Sequence, residues 1–311
     1  RDPEATLDQA WFETRVQRAL DLRTRLFDAP FYRLIHAESD GFPGVIVDRF
    51  GDTCVVQPNA AWAEVHLEIL TKALIAVTGV TTVLKNASGR TRGLEGLDDV
   101  NAVLAGAAPD APVPVPMNGA TYMADLTGGQ KTGLFYDQRP NHAFAAQLVA
   151  PGSEVLDVFS HVGGFALAML AAGADSAVAV DGSVPALALA EQGAVHLAVP
   201  AAGVDGSQPA LDLAQAGAAA MGRTAQFTTR QGDAFDTLAA LAEEGRQFDV
   251  VICDPPAFAP SKQSLEAGLR AYERVARLAA QLVKPGGYLG LCSCSHAADL
   301  SKFRGASVRG I

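Results

Sequence analysis

"VLDVFSHVGGFALAML" (Val155–Leu170) decides the architecture of this chain. Apolar residues run to Val158, a glycine pair follows at Gly163–Gly164, and an Ala/Leu-rich stretch completes the pattern. That order reads as β-strand, tight turn, α-helix. Two glycines let the backbone approach a ligand and aim a helix N-terminus at it. The G-x-G-x-x-G spacing is missing, so a dinucleotide pyrophosphate site is poorly supported.

Four more strand-like runs follow, "DSAVAVD" (175–181), "AQFTTRQGD" (225–233), "FDVVICD" (248–254) and "GGYLGLCS" (286–293), with helical stretches between them. Repeated strand–helix alternation predicts an α/β fold with a doubly wound, mostly parallel, Rossmann-like sheet. Such sheets bind ligands beyond the carboxyl ends of their strands. The polar segments there are Asp157–Gly164, Asp181, Asp233, Asp254–Phe258 and the stretch "CSCSH" (292–296), and all should converge on one crevice.

Upstream, residues 8–28 read as an amphipathic helix with Trp11, Phe12, Val16, Leu20, Leu22 and Leu26 at helical spacing and Arg15, Arg18, Arg23 and Arg25 on a solvated face. "FYRLIHAESD" and "GVIVDRFGDTCVVQP" read as strands around turn signals, residues 62–78 as a helix and "VTTVLKN" as a further strand. "PDAPVPVPMNG" (109–119) is an extended linker or edge strand. The expected division is therefore a helix plus small α+β domain over 1–112, a linker hairpin and ligand-contacting segment over 113–150, and the doubly wound domain over 151–311.

The chain has 311 residues, 49% of them hydrophobic and 19% charged, with four cysteines and a formal net charge of −10. That composition is globular, and four scattered cysteines form no disulfide framework. A cytoplasmic setting is the default reading. No apolar run reaches the roughly 20 residues of a membrane helix. The acidic balance disfavours unspecific nucleic-acid binding, and the chain starts at Arg1, so a missing N-terminal piece is expected. "VDGSVPALALAEQGA" (180–194) is nearly repeated at 204–218, which reads as a local duplication inserting an extra helix after the second strand.

Several residues carry chemistry. Asp181, 24 residues after Asp157, can accept hydrogen bonds from both hydroxyls of a ribose, with Asp205 its repeat-related competitor. Asp233 can accept from an adenine amino group. Two prolines, Pro255 and Pro256, restrain the backbone after Asp254, and Phe258 can offer a flat face to a base. "KTGLFYDQRPNH" (131–142) brings Lys131, Gln138 and Arg139 together, suited to the charged amino-acid end of a ligand. Cys292 and Cys294 lack a second pair, which argues against zinc and leaves core thiol and nucleophile as readings.

At these residues the chain resembles the bacterial 23S ribosomal-RNA cytosine-C5 methyltransferases, a branch of the class I S-adenosylmethionine-dependent enzymes. The matching pieces are "SDGFPGVIVDRFGD", "KTGLFYDQRPN", "LDVFSHVGGFA", "VDGS", "GDAF", "DPPAF" and "CSCS", in family order across roughly residues 8–300. The resemblance implies an N-terminal PUA-type RNA-binding domain preceding the part seen here. It implies S-adenosyl-L-methionine as cofactor, with Asp157, Phe159, Ser160, Gly163 and Gly164 as the methionine-side wall. Asp181 would hold the ribose, Asp233 the adenine edge, and Gln138 with Arg139 the methionyl end. Cys294 would be the nucleophile on cytosine C6, because C5 is too weakly nucleophilic to take a methyl group unaided. Asp254 would contact the N3 side of the base, with Pro255, Pro256, Phe258 and Lys131 around it. The implied partner is 23S rRNA, with no membrane and no metal; a homodimer is left open. His161 departs from the family, which more usually has Tyr, and the duplicated segment is no family feature. Such enzymes end in a helix and an antiparallel strand pair, for which the 17 residues after Cys294 are too few, so the sheet should be C-terminally short. The competing readings are a guanine-N methyltransferase acting on rRNA, which needs no thiolate, and a non-catalytic RNA-binding or ribosome-assembly protein with a vestigial cofactor site.

Overall fold

The computed structural model describes residues 6–128, 132–197, 201–202 and 226–311. Two compact units emerge, one of Arg1–Pro116 with Ala124–Asp137, the other of Met117–Met123 with Gln138–Ile311.

The first unit opens with α1 (Gln9–Leu26), capped by Asp8, whose carboxylate accepts from Trp11 N at 2.9 Å. Phe12, Val16 and Ala19 form its buried stripe. The expected faces shift near its end: Leu22 and Leu26 are exposed, whereas Arg23 is buried. Arg23 holds Asp40 through two bonds of 2.6 and 2.7 Å and donates to the Arg33 carbonyl. A bidentate partner and a carbonyl satisfy the guanidinium where solvent would otherwise be required. The strands are β1 (Phe31–His36), β2 (Val45–Phe50), β3 (Thr53–Pro58), β4 (Thr82–Lys85) and β5 (Ala102–Ala105). They pair in that order, antiparallel except for β3 with β4. The single helix expected over 62–78 is two, α2 (Ala61–Val65) and α3 (Leu67–Thr78), broken at His66. The short α4 (Arg90–Leu94) carries Arg92, which is 1% exposed and pairs with Glu64 and Asp98.

A two-stranded hairpin, β6 (Val113–Met117) with β7 (Ala120–Ala124), accounts for the Pro-rich stretch. The second unit then runs α5 (Arg139–Ala146), β8 (Glu154–Val158), α6 (Gly164–Ala171), β9 (Ser176–Asp181), α7 (Val184–His196), β10 (Ala201–Ala202), β11 (Phe227–Gln231), α8 (Ala234–Glu243), β12 (Phe248–Cys253), α9 (Leu265–Ala280), β13 (Val283–Leu291) and α10 (Leu300–Gly310). The sheet order is β10-β11-β9-β8-β12-β13, with every pairing parallel. The five expected strands are all present, β10 adds two residues at one edge, and one helix follows β13. The repeat at 204–218, and Asp205 with it, lies outside the described residues.

Apolar side chains from four strands and two helices build the interior. Leu156, Val158, Val178, Val180, Phe248 and Val251 form one buried cluster with Leu238 of α8 and Val275 of α9. Register aligns the strand ends: Leu291, Cys253, Val158, Val180 and Arg230 are successive partners across the sheet. The next residues along the chain are therefore Cys292, Asp254, Phe159, Asp181 and Gln231, side by side on one rim. The order reverses about β8, the switch point where parallel sheets open a crevice.

Candidate active site

The rim begins with Asp157, fully buried in β8. Its Oδ2 accepts from Phe165 N at 3.1 Å and Ala166 N at 2.9 Å, so the strand caps the first turn of α6. Burial pushes its carboxyl up to about 7; the two helix amides oppose that shift, and the Asp254 and Asp181 carboxylates reinforce it. Oδ1 of Asp157 and Oγ of Ser160 are buried with no hydrogen-bond partner among the described residues.

The turn from β8 to α6 is strained. Phe159 and His161 have φ of 63° and 49°, the left-handed region, which costs a non-glycine residue about 1–2 kcal/mol. Two contacts hold the turn there: Ser160 N donates to the Val180 carbonyl (3.0 Å) and His161 N to Asp181 Oδ2 (2.9 Å). Gly163 sits at φ 76°, where only glycine is unstrained. Gly164 is required for a different reason: a Cβ there would lie 2.6 Å from His142 Nε2.

Asp181 thus fixes this turn, and its Oδ1 accepts from Ser183 N at 2.8 Å at the start of α7. Asp233 is the N-cap of α8, accepting from Phe235 N and Asp236 N at 2.9 and 3.2 Å. Gln138, N-terminal to α5, donates from Nε2 to Asp254 Oδ2 at 2.8 Å, and Asn141 donates to its Oε1 at 2.6 Å. The carbonyl of Arg139 accepts from Asn118 at 2.9 Å. Lys131 lies outside the described residues.

After β12 the chain forms the Asp254–Phe258 loop. Pro255 is buried and Pro256 exposed. The Phe258 ring stacks beside Phe235 at 6.1 Å and meets Tyr272 at 5.0 Å and Phe159 at 6.2 Å. The loop after β13 lies against it. Cys294 Sγ is 4.0 Å from the Pro255 carbonyl oxygen, and Cys294 is the one exposed cysteine of the four. Burial pushes the Cys54 and Cys292 thiols up to about 12, with the Asp254 and Asp157 carboxylates adding to the shift at Cys292, and raises Cys253 further.

Tyr272 is the residue that sequence reasoning missed. From the buried face of α9 its hydroxyl accepts from Ser293 Oγ at 2.8 Å and shares a 2.7 Å bond with Ser295 Oγ. Ser295 Oγ also accepts from Ala259 N at 2.9 Å. One phenol therefore ties both neighbours of Cys294 and, through Ser295, the end of the 254–258 loop. Gly268 lets α9 come this close, since a Cβ there would meet the Phe258 carbonyl at 2.7 Å. The only sequence signal was that Tyr272 falls four residues after Gly268 on one helix face. Among the described residues no group of His, Cys, Asp or Glu side chains is placed to hold a metal ion, and no helix is long and apolar enough to cross a membrane.

Comparison with known proteins gives this rim a family. Ribosomal RNA large subunit methyltransferase I of Aeromonas salmonicida is 34% identical over 306 residues, covering 97% of this chain and 71% of that protein. Its namesake in Vibrio parahaemolyticus is 35% identical over 301 residues, covering 96% and 70%. This chain belongs to the ribosomal RNA large subunit methyltransferase I family. No family model matches it. Among solved structures, SMU.776, assigned as a methyltransferase and complexed with SAH, superposes with a TM-score of 0.77 at 21% identity, over 99% of this chain and 73% of that one. A SAM-dependent methyltransferase from Agrobacterium tumefaciens gives 0.58 at 18% identity, over 86% and 75%. Both share the fold of this member of the large subunit methyltransferase I family, whose α/β sheet is that of a methyltransferase.

Proposed function

We propose that this protein is an S-adenosylmethionine-dependent RNA methyltransferase that forms 5-methylcytidine in 23S rRNA, with Cys294 as nucleophile. The observation that carries the reading is the placement of the one exposed thiol, beside Pro255 of the Asp254–Phe258 loop, while the other three thiols are buried or half-buried.

The residues at the end of β8 fit the cofactor. Two buried acceptors, Asp157 Oδ1 and Ser160 Oγ, have no partner among the described residues, a costly state unless a ligand supplies donors. Asp157, Ser160 and the Gly163–Gly164 turn would hold the methionyl part, Asp181 the ribose and Asp233 with α8 the adenine edge. When bound, the cofactor supplies an electrophilic methyl group. The Cys294 thiolate adds to C6 of the cytosine, and the electron pair displaced from the C5–C6 bond makes C5 nucleophilic. Asp254, oriented by Gln138, holds the N3 side of the base in place. Once C5 carries the methyl group, a base removes the C5 proton, the C5–C6 double bond re-forms and the sulfur leaves.

The test is RNA containing 5-fluorocytidine at the target. Fluorine at C5 blocks the final elimination, so attack by Cys294 leaves a covalent protein–RNA adduct. The adduct should be lost in Cys294→Ser and kept in Cys292→Ser. Methyl transfer that survives Cys294→Ser would shift the reading to a guanine-N methyltransferase.

A further inference from the structure

The acidic balance of the chain conceals a strong segregation of charge. Residues 261–311 contain eight Lys and Arg against three Asp and Glu, whereas the rest of the chain has 16 against 31. Within that segment α9 places Arg270, Arg274 and Arg277 at i, i+4 and i+7. At about 100° per residue they fall within roughly 60° of helix arc and span about 10 Å. All three are exposed, as is Lys262 in the loop leading into the helix. Among the described residues none of the four makes an ion pair. Glu273 of the same helix is engaged instead by Arg309, at 3.1 Å.

The stripe is also continuous with the rim. The Arg274 guanidinium lies over the Phe235 ring, 4.5 Å from its centroid, and Phe235 stacks beside Phe258 of the Asp254–Phe258 loop. A guanidinium drawn to an aromatic face can still use its remaining N–H donors on another ligand. By contrast Arg92 of α4 is buried within ion pairs.

We propose that the α9 face formed by Arg270, Arg274 and Arg277, extended by Lys262, is a docking track for the phosphate backbone of the RNA whose target base enters the rim. The proposal rests on the RNA-methyltransferase reading above. Arginine forks suit phosphate oxygens, and a row of unpaired cations in an otherwise acidic protein directs a polyanion to one face.

The experiment is binding of the full chain to a short fluorescein-labelled single-stranded RNA across a salt series, followed by fluorescence anisotropy. Each lost phosphate contact reduces the slope of log K against log salt by about 0.7. Arg270→Gln/Arg274→Gln/Arg277→Gln should therefore flatten the slope by about 2, and Arg270→Gln/Arg277→Gln, which keeps the Phe235 contact, by about 1.4. KM for ribosomal RNA should rise in both, while calorimetric affinity for S-adenosylmethionine stays at the wild-type value. Arg18→Gln/Arg25→Gln on α1 is the control, charge-matched to the double variant, and should keep the wild-type slope. Wild-type slopes in both α9 variants, equal flattening in the control, or salt-insensitive binding by the wild type would overturn the track. Failure of the underlying reading is separately visible, as absence of methyl transfer to ribosomal RNA by the wild-type protein.

Discussion

Replacing Tyr272 with Phe isolates one hydroxyl. The ring stays, so its contacts with Phe258 (5.0 Å) and Phe303 (4.9 Å) survive. The bonds to Ser293 Oγ and Ser295 Oγ are lost. Neither serine is left wholly unpaired: Ser295 Oγ keeps the Ala259 amide, and Ser293 is exposed to water. The cost is therefore that of net hydrogen bonds rather than of orphaned buried groups, about 1–2 kcal/mol for the pair. For a unit of this size that lowers Tm by about 2–8 °C. Tyr272→Ala also deletes the ring and should cost about 3–5 kcal/mol. Since the lost bonds tether both neighbours of Cys294, methyl transfer in Tyr272→Phe should fall about 10- to 100-fold through kcat, because small misplacements of a reacting group are expensive. Thermal unfolding and single-turnover transfer measure the two effects. A Phe variant as unstable as the Ala variant, or one with unchanged Tm and unchanged kcat, would refute the tether.

Asp157 should make stability depend on pH in an identifiable window. Its folded carboxyl is pushed up to about 7 from about 3.9 when unfolded, so its contribution is present below about pH 4 and lost as pH rises to about 7. The full difference is on the order of 4 kcal/mol. Asp157→Asn keeps an acceptor for the α6 amides and removes the charge, so urea titrations should show the variant gaining on the wild type across that window; parallel curves would contradict the assignment. Brief iodoacetamide treatment of the native protein at neutral pH should label Cys294 first, and peptide mapping that finds Cys54 or Cys253 first would refute the burial argument. Gly164→Ala should destabilise by about 1–3 kcal/mol through overpacking, because its Cβ would sit 2.6 Å from His142 Nε2; Gly164→Ala combined with His142→Ala should recover part of the loss, and no recovery would point to another cause.

Strand positions were legible because the central parallel strands β8, β9 and β12, buried on both faces, read as apolar runs, and each of the five expected runs is a strand, although the edge strand β13 is only half-buried. Helix faces were less legible. Arg23 looked like a solvated cation, yet it is buried, because Asp40 comes from 17 residues away to meet it. Periodicity reports which face a residue occupies but not whether a partner waits there. Tyr272 illustrates the same limit. Its burial follows from helical spacing, while its bonds to Ser293 and Ser295 require knowing that α9 lies beside the loop after β13.

The strand-end acids show the same limit at the rim itself. From sequence, Asp181 and Asp233 were read as ligand contacts. In the structure both carboxylates hold backbone amides: Asp181 those of His161 and Ser183, Asp233 those of Phe235 and Asp236. A carboxylate has about four acceptor positions, so two amide donors leave capacity for two more. Holding backbone amides and meeting a ligand are therefore compatible. An acid that is already fixed by backbone amides needs no reorganisation when a further donor arrives, and the ordering cost falls on the folding of the turn rather than on binding. The same logic explains the left-handed Phe159 and His161. Asp181 holds the turn in a conformation the residues themselves disfavour, so truncating Asp181 would release the turn as well as remove an acceptor.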